Sequence, residues 1–174
     1  MQKKICLLGT FAVGKSSLTE RFVKSIFSER YHTTVGVRIH KRTVELESGA
    51  IDLIVWDLAG EDEFVSLRTD YLRGAGGYIL VADGTRRETL HGAFEMHKSA
   101  TRVLGDVPFV LMVNKSDRHE EWAIQEADLG GLAAQGWTVL RTSAKTGEGV
   151  SDGFIGLARA MVRGEHHGVA PRGY

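Results

Sequence analysis

Lys3-Lys4-Ile5-Cys6-Leu7-Leu8-Gly9-Thr10-Phe11-Ala12-Val13-Gly14-Lys15-Ser16 is the stretch that decides the architecture. A short apolar run, Ile5 to Leu8, ends at a loop of pattern G-x-x-x-x-G-K-S. Residues 15–24 follow with Leu18, Phe22 and Val23 near helical spacing. Strand, glycine-rich loop and helix in that order form a phosphate-binding unit. Gly9 and Gly14 accept torsions that other residues resist, so the backbone can wrap an anion. The amides of residues 12–16 are then expected to face inward, at the positive end of the helix. Lys15 places a point charge between the outer phosphates of a nucleotide, and Ser16 offers a hydroxyl to magnesium.

Working outward, the chain alternates strands and helices. Residues 37–47 and 50–56 alternate apolar and polar around Ser48-Gly49, which predicts a hairpin. Residues 78–82 and 108–113 are continuous apolar runs, expected of strands covered on both faces. Helices are expected over 88–104, 122–134 and 151–162, a last strand over 137–140, and a loop over the polar residues 28–36. The pattern predicts an α/β fold: a mostly parallel six-stranded sheet with helices on both faces and ligands beyond the strand ends. One domain is expected over residues 1–164, and residues 165–174, rich in Gly, His and Arg, as a flexible tail.

Three further motifs each follow an apolar strand. Asp57-Leu58-Ala59-Gly60 places a carboxylate for a magnesium-bound water and a glycine whose amide approaches a terminal phosphate. D-x-x-G alone describes an ordinary turn, and its position after a strand gives it meaning. Asn114-Lys115-Ser116-Asp117 suits a guanine base, because the Asp117 carboxylate can accept the N1–H and the 2-amino group while the Lys115 stem lies on the ring. Adenine lacks that donor pair and would leave a buried charge unpaired. Ser143-Ala144-Lys145 can direct backbone amides at the guanine O6. Four motifs in this order argue against an ATPase or nucleotide kinase, either of which could carry the glycine-rich loop by itself. A metabolic P-loop enzyme would also need an acceptor site, and no spare catalytic dyad is evident.

Composition excludes other classes. Lys and Arg together number 22, as do Asp and Glu, so the zero net charge gives no basic footprint for nucleic acid. His40-Lys41-Arg42 reads as a solvated strand edge, and His166 and His167 as solvated tail residues. The single cysteine, Cys6, reads as a small buried hydrophobe and suits a reducing, cytoplasmic setting. Neither the first residues nor Pro171-Arg172-Gly173-Tyr174 carries a lipidation or membrane-spanning signal, so no intrinsic membrane anchor is expected.

At these motifs the chain resembles a Ras-superfamily small GTPase of the Rab-like branch, over roughly residues 3–163. Thr34-Val35-Gly36-Val37, Trp56-Asp57-Leu58-Ala59-Gly60 and Tyr71-Leu72-Arg73-Gly74-Ala75 carry the Rab likeness. The resemblance implies a P-loop NTPase small G domain. It implies that Ala12, Val13, Gly14, Lys15, Ser16, Ser17, Phe27, Tyr31, Asn114, Lys115, Asp117, Ser143, Ala144 and Lys145 contact GTP or GDP. Within that set Phe27 stacks across the guanine edge and Tyr31 closes over the phosphates. Ser16, Thr34 and Asp57 would serve Mg2+, and Lys15, Thr34, Gly60 and Glu61 hydrolysis. Residues 28–38 and 59–72 would be the surfaces for a protein effector and for activating or exchange proteins, on a monomer.

Three departures stand out. Glu61 occupies the place of a glutamine that orients the attacking water. Phe11 stands where most members have a small residue, in the path of an arginine finger. The prenylated C-terminal cysteines of eukaryotic Rabs are absent, which favours an anchorless, prokaryotic-type relative. The expected function is a guanine-nucleotide switch with slow GTP hydrolysis. The alternative is a GTP-binding regulatory module with negligible hydrolysis, and Glu61 divides the two.

Overall fold

The computed structural model describes residues 1–24, 29–34, 37–58 and 69–164; of residues 29–34 and 69 it describes the backbone alone. Strands β1 (Gln2–Leu8), β2 (Glu29–Thr34), β3 (Val37–Leu46), β4 (Gly49–Leu58), β5 (Gly77–Asp83), β6 (Phe109–Asn114) and β7 (Val139–Arg141) form one sheet in the order β2-β3-β4-β1-β5-β6-β7. The helices are α1 (Lys15–Val23), α2 (Thr69–Leu72), α3 (Glu88–Leu104), α4 (Glu126–Ala134) and α5 (Val150–Arg163). From β4 to β7 every neighbouring pair is parallel. The six expected strands are all present in a mostly parallel sheet covered on both faces.

Period-two alternation divides the core between the faces. Ile5, Leu7, Ile79, Val81, Val110 and Met112 point to one side, where Leu18, Phe22 and Val23 of α1 and Phe154, Leu157 and Met161 of α5 cover them. Phe22 and Phe154 stack with centroids 4.1 Å apart and tie the two helices together. Cys6, Leu8, Tyr78, Leu80, Ala82, Phe109, Leu111 and Val113 point to the other side, beneath Leu72, Leu90, Ala93, Ala100, Leu129 and Leu132 of α2, α3 and α4. Cys6 is fully buried, as its apolar run predicts, and burial pushes its thiol up to about 12. No helix among the described residues is long and apolar enough to cross a membrane.

Several boundaries differ from the sequence expectation. Glu29–Thr34, within the expected loop, is an edge strand pairing antiparallel with β3, Arg30 opposite His40 and Tyr31 opposite Ile39. An edge ladder needs only backbone partners, so it leaves no apolar period in the sequence. The β3–β4 hairpin turns on Glu47 and Ser48, and Gly49, at φ +112°, opens β4 opposite Leu46. The helix expected from residue 122 begins at Glu126, because Ala123 N–H donates to Gly84 O at 2.7 Å and holds the preceding segment against the end of β5. Trp137, expected in the last strand, instead packs with Phe94, His97 and Phe109. Residues 165–174 lie outside the described residues.

Candidate functional site

The parallel strands bring their C-terminal ends to one edge, and four segments emerge there: Gly9–Gly14 after β1, Asp57 at the end of β4, Asn114–Asp117 after β6, and the turn after β7. The chain leaves β1 toward β4 on one side, while β5 occupies its other side, so the phosphate loop sits at the topological switch point.

Gly9 and Gly14 are glycines for steric reasons. A Cβ on Gly9 would lie 2.6 Å from the Val81 carbonyl oxygen. One on Gly14, whose φ is +102°, would lie 2.3 Å from Asn114 Nδ2. Carbonyl after carbonyl in this loop accepts a hydrogen bond. Lys15 Nζ donates to Gly9 O at 2.7 Å and to Thr10 O at 3.2 Å. Arg86 Nη2 donates to Phe11 O at 2.7 Å, Lys115 Nζ to Ala12 O at 3.0 Å, and Asn114 Nδ2 to Val13 O at 3.0 Å. Gly14 O receives the Leu18 amide of α1. Lys15 is buried, and desolvation lowers its ammonium pKa while Asp57 acts to raise it. An anion between the loop amides and Lys15 would restore the lost solvation of that charge.

Ser16 Oγ donates to Asp57 Oδ2 at 2.5 Å. Asp57 is fully buried, and its Oδ1 has no hydrogen-bond partner among the described residues. A hydroxyl and an orphaned carboxylate oxygen at a phosphate loop are hard oxygen donors suited to Mg2+ and its waters. The described residues hold no group of three or more His, Cys, Asp or Glu side chains placed for a metal.

At the base end, Asp117 Oδ1 accepts the Ser143 hydroxyl at 2.7 Å, and that bond leads the causes holding its carboxyl below the usual range. Asn114 Oδ1 accepts Thr142 Oγ1 at 3.2 Å and the Ala144 amide at 3.3 Å, so one asparagine links the phosphate loop and the loop after β7. Lys115 has a φ of +68°. Its ammonium meets Asp83 Oδ2 at 2.8 Å as well as Ala12 O. Ser17 lies exposed at the start of α1, and Lys145 follows Ala144 in the same turn.

The sequence motifs therefore meet at one edge. Phe27, Gly60 and Glu61 lie outside the described residues, and of Tyr31 and Thr34 only the strand backbone is described. Phe11 is 56% exposed, on the outer side of the loop.

Sequence reasoning missed three supports. Asp83 ends β5 as Asp57 nearly ends β4, a polar residue closing an apolar run, and that was the available signal. Burial alone would raise its carboxyl, but bonds from Lys115, Thr85 and Arg86 outweigh it and hold it at about 2. Arg86 had no signal, being one of two adjacent arginines outside any motif. Glu148, which accepts the Ser116 hydroxyl at 2.7 Å, lies in a turn with no period to mark it.

Comparison with known proteins points to one family. The Ras family model matches residues 4–163. Ras-related protein RabJ of Dictyostelium discoideum is 34% identical over 172 residues, 96% of this chain and 66% of its own length. Ras-related protein Rab-13 of Bos taurus is 35% identical over 161 residues, 91% of this chain and 79% of its own. Ras-related protein SEC4 of Saccharomyces cerevisiae is 36% identical over 161 residues, 91% and 74% respectively. The chain thus spans 66% of the first relative's length and more of the other two.

Proposed function

Starting from a chain that belongs to the Ras family and is a Rab-like small GTPase, we propose that it binds GTP and GDP with Mg2+ at the strand-end site, hydrolyses GTP slowly, and presents residues 28–38 and 59–72 to a protein partner in the GTP state. The observation that carries the reading is the convergence of Lys15, Ser16, Asp57, Asn114 and Asp117 at one sheet edge, with Asp57 Oδ1 left unpartnered. Lys15 and the loop amides receive the phosphates, and the Asp117 carboxylate accepts the guanine donors. Ser16, Asp57 and, in the GTP state, Thr34 hold the ion, which when bound neutralises charge on the outer phosphates. Thr34 and Gly60 lose the terminal phosphate as a partner once GDP remains, which gives the two states a named difference in contacts.

Slow hydrolysis follows from Glu61. A glutamine donates to phosphate oxygens and accepts from water at once, whereas an ionised glutamate only accepts. A carboxylate about 5 Å from one phosphate charge meets a repulsion of roughly 3 kcal/mol at an effective dielectric near 20. Lys15 offsets part of this, and Glu61 approaches only when protonated. A carboxylate acting as general base for water is the competing chemistry.

Timed conversion of bound GTP to GDP on purified protein, in saturating Mg2+, separates them. The expected result is slow turnover that quickens toward acidic pH, and a faster single-turnover rate in Glu61→Gln at pH near 7.5. A rate that climbs with pH and collapses in Glu61→Gln would make Glu61 the base. No conversion by either protein would favour a GTP-binding module without turnover.

A further inference from the structure

The six carbonyls of the phosphate loop, from Gly9 to Gly14, are each held by a named donor, and among the side chains that do so Arg86 belongs to no nucleotide motif. The chain has no cis peptide among the described residues. In a trans peptide the C=O of one residue and the N–H of the next point in opposite directions across a rigid plane. Fixing a carbonyl outward therefore aims the following amide inward. Lys115 on Ala12 O aims the Val13 amide, and Asn114 on Val13 O aims the Gly14 amide. Arg86 on Phe11 O does the same for the Ala12 amide.

Ala12 is where this support matters most. It is a non-glycine residue at φ +59°, a conformation that an L-residue adopts only at a cost against the right-handed region. Both peptide planes that flank it are clamped: Phe11 O by Arg86 and Ala12 O by Lys115. The two cations meet at one acceptor. Asp83 Oδ2 takes Arg86 Nε at 3.1 Å and Lys115 Nζ at 2.8 Å, while Asp83 Oδ1 takes the Thr85 amide at 2.9 Å and hydroxyl at 2.7 Å. Asp83 is 1% exposed and Arg86 about one third, so the brace is anchored in the sheet and reaches the loop at its rim. An arginine is suited to this because its planar fork bonds two acceptors in fixed geometry.

We propose that Arg86, braced by Asp83, is a positioning residue of the phosphate site: it holds the Phe11 carbonyl outward, keeps Ala12 in its left-handed conformation, and so presents the Ala12 amide to the phosphates of a bound nucleotide. The proposal rests on the guanine-nucleotide reading above and adds a component from the loop after β5. Arg86 does not touch the nucleotide itself. Its loss acts on phosphate retention and leaves base selection at the opposite end unchanged.

The experiment loads the full chain with a fluorescent GDP analogue and Mg2+ and measures release on chase with excess GDP. Arg86→Ala is expected to release it about tenfold faster than wild type, the scale of one charge-assisted hydrogen bond. Guanine-over-xanthine preference is expected to be unchanged. Arg86→Gln, which keeps a donor but loses the fork, is expected to be faster by at least about threefold. Strain at Ala12 supplies a coupled readout. In an Ala12→Gly background, where the left-handed conformation costs nothing, the same Arg86→Ala change should speed release by only about threefold. Release within about twofold of wild type in Arg86→Ala and Arg86→Gln overturns the proposal, as does an equal effect of Arg86→Ala with and without the Ala12→Gly change, or a changed base preference. A wild-type chain that retains no GDP overturns the nucleotide reading and the proposal together.

Discussion

Asp117 illustrates how one residue's surroundings decide what its substitution does. Its Oδ1 accepts the Ser143 hydroxyl, so in Asp117→Asn the amide oxygen has a partner on the Ser143 side and the NH2 turns toward the base. An NH2 donates to the O2 of xanthine and opposes the 2-amino group of guanine. GDP affinity is expected to fall on the order of 100-fold, since a charge-assisted pair is lost and a donor faces a donor. Xanthosine diphosphate should then bind the variant more tightly than GDP does, in competition against a fluorescent nucleotide. If GDP remained the preferred ligand of that variant, the Asp117 assignment would fail. Lys115 shows the opposite case: the motif proposes it for the base plane, and the structure gives it bonds to Ala12 O and Asp83 that the motif by itself does not reveal.

At the scale of elements, α1 and α5 carry the site from below. The phosphate loop runs directly into α1, and α1 is fixed to α5 by the Phe22–Phe154 stack, with Phe154 fully buried. Truncating Phe154→Ala deletes a core aromatic and is expected to cost about 3–5 kcal/mol. For a chain of this length that is a fall in Tm of roughly 10 °C, read by circular dichroism. Loss of less than about 1 kcal/mol would mean that α5 does not depend on this contact. The other face carries its own aromatic group, in which the Tyr78 hydroxyl meets His97 Nδ1 at 2.8 Å. Burial lowers the His97 pKa and pushes the Tyr78 phenol up to about 12, so both remain neutral near neutral pH.

For the whole molecule, the ligand reading makes stability depend on nucleotide concentration. A ligand that binds only the folded chain adds about 4 kcal/mol at a thousandfold excess over its Kd. Raising GDP in the presence of Mg2+ should accordingly raise Tm by roughly 10 °C, and ATP at the same concentration should leave it nearly unchanged. Chelating the divalent ion should reverse most of the GDP effect, because on the proposed reading Ser16 and Asp57 would hold that ion beside the phosphates. Equal stabilisation by ATP and GDP would contradict a guanine-reading site.

The alternation of apolar runs with helical periods determined the α/β class, and glycine-bounded or polar motifs after those runs determined which end of the sheet carries the site. Both are local signals: a buried strand must be apolar, and a loop that wraps an anion must contain glycine. Where partners are distant in the chain, only tertiary structure decided. Edge strand β2 is held by backbone bonds to β3 and has no side-chain signature. The segment before α4 is held by tertiary contacts, among them the bond from Ala123 N–H to Gly84 O. Arg86 carries no motif in the sequence, and only the fold brings it to Phe11, 75 residues away in the chain, on the carboxylate of Asp83. Residue types and spacing fix what a segment can do, but a contact between segments exists only once both are packed on the same sheet.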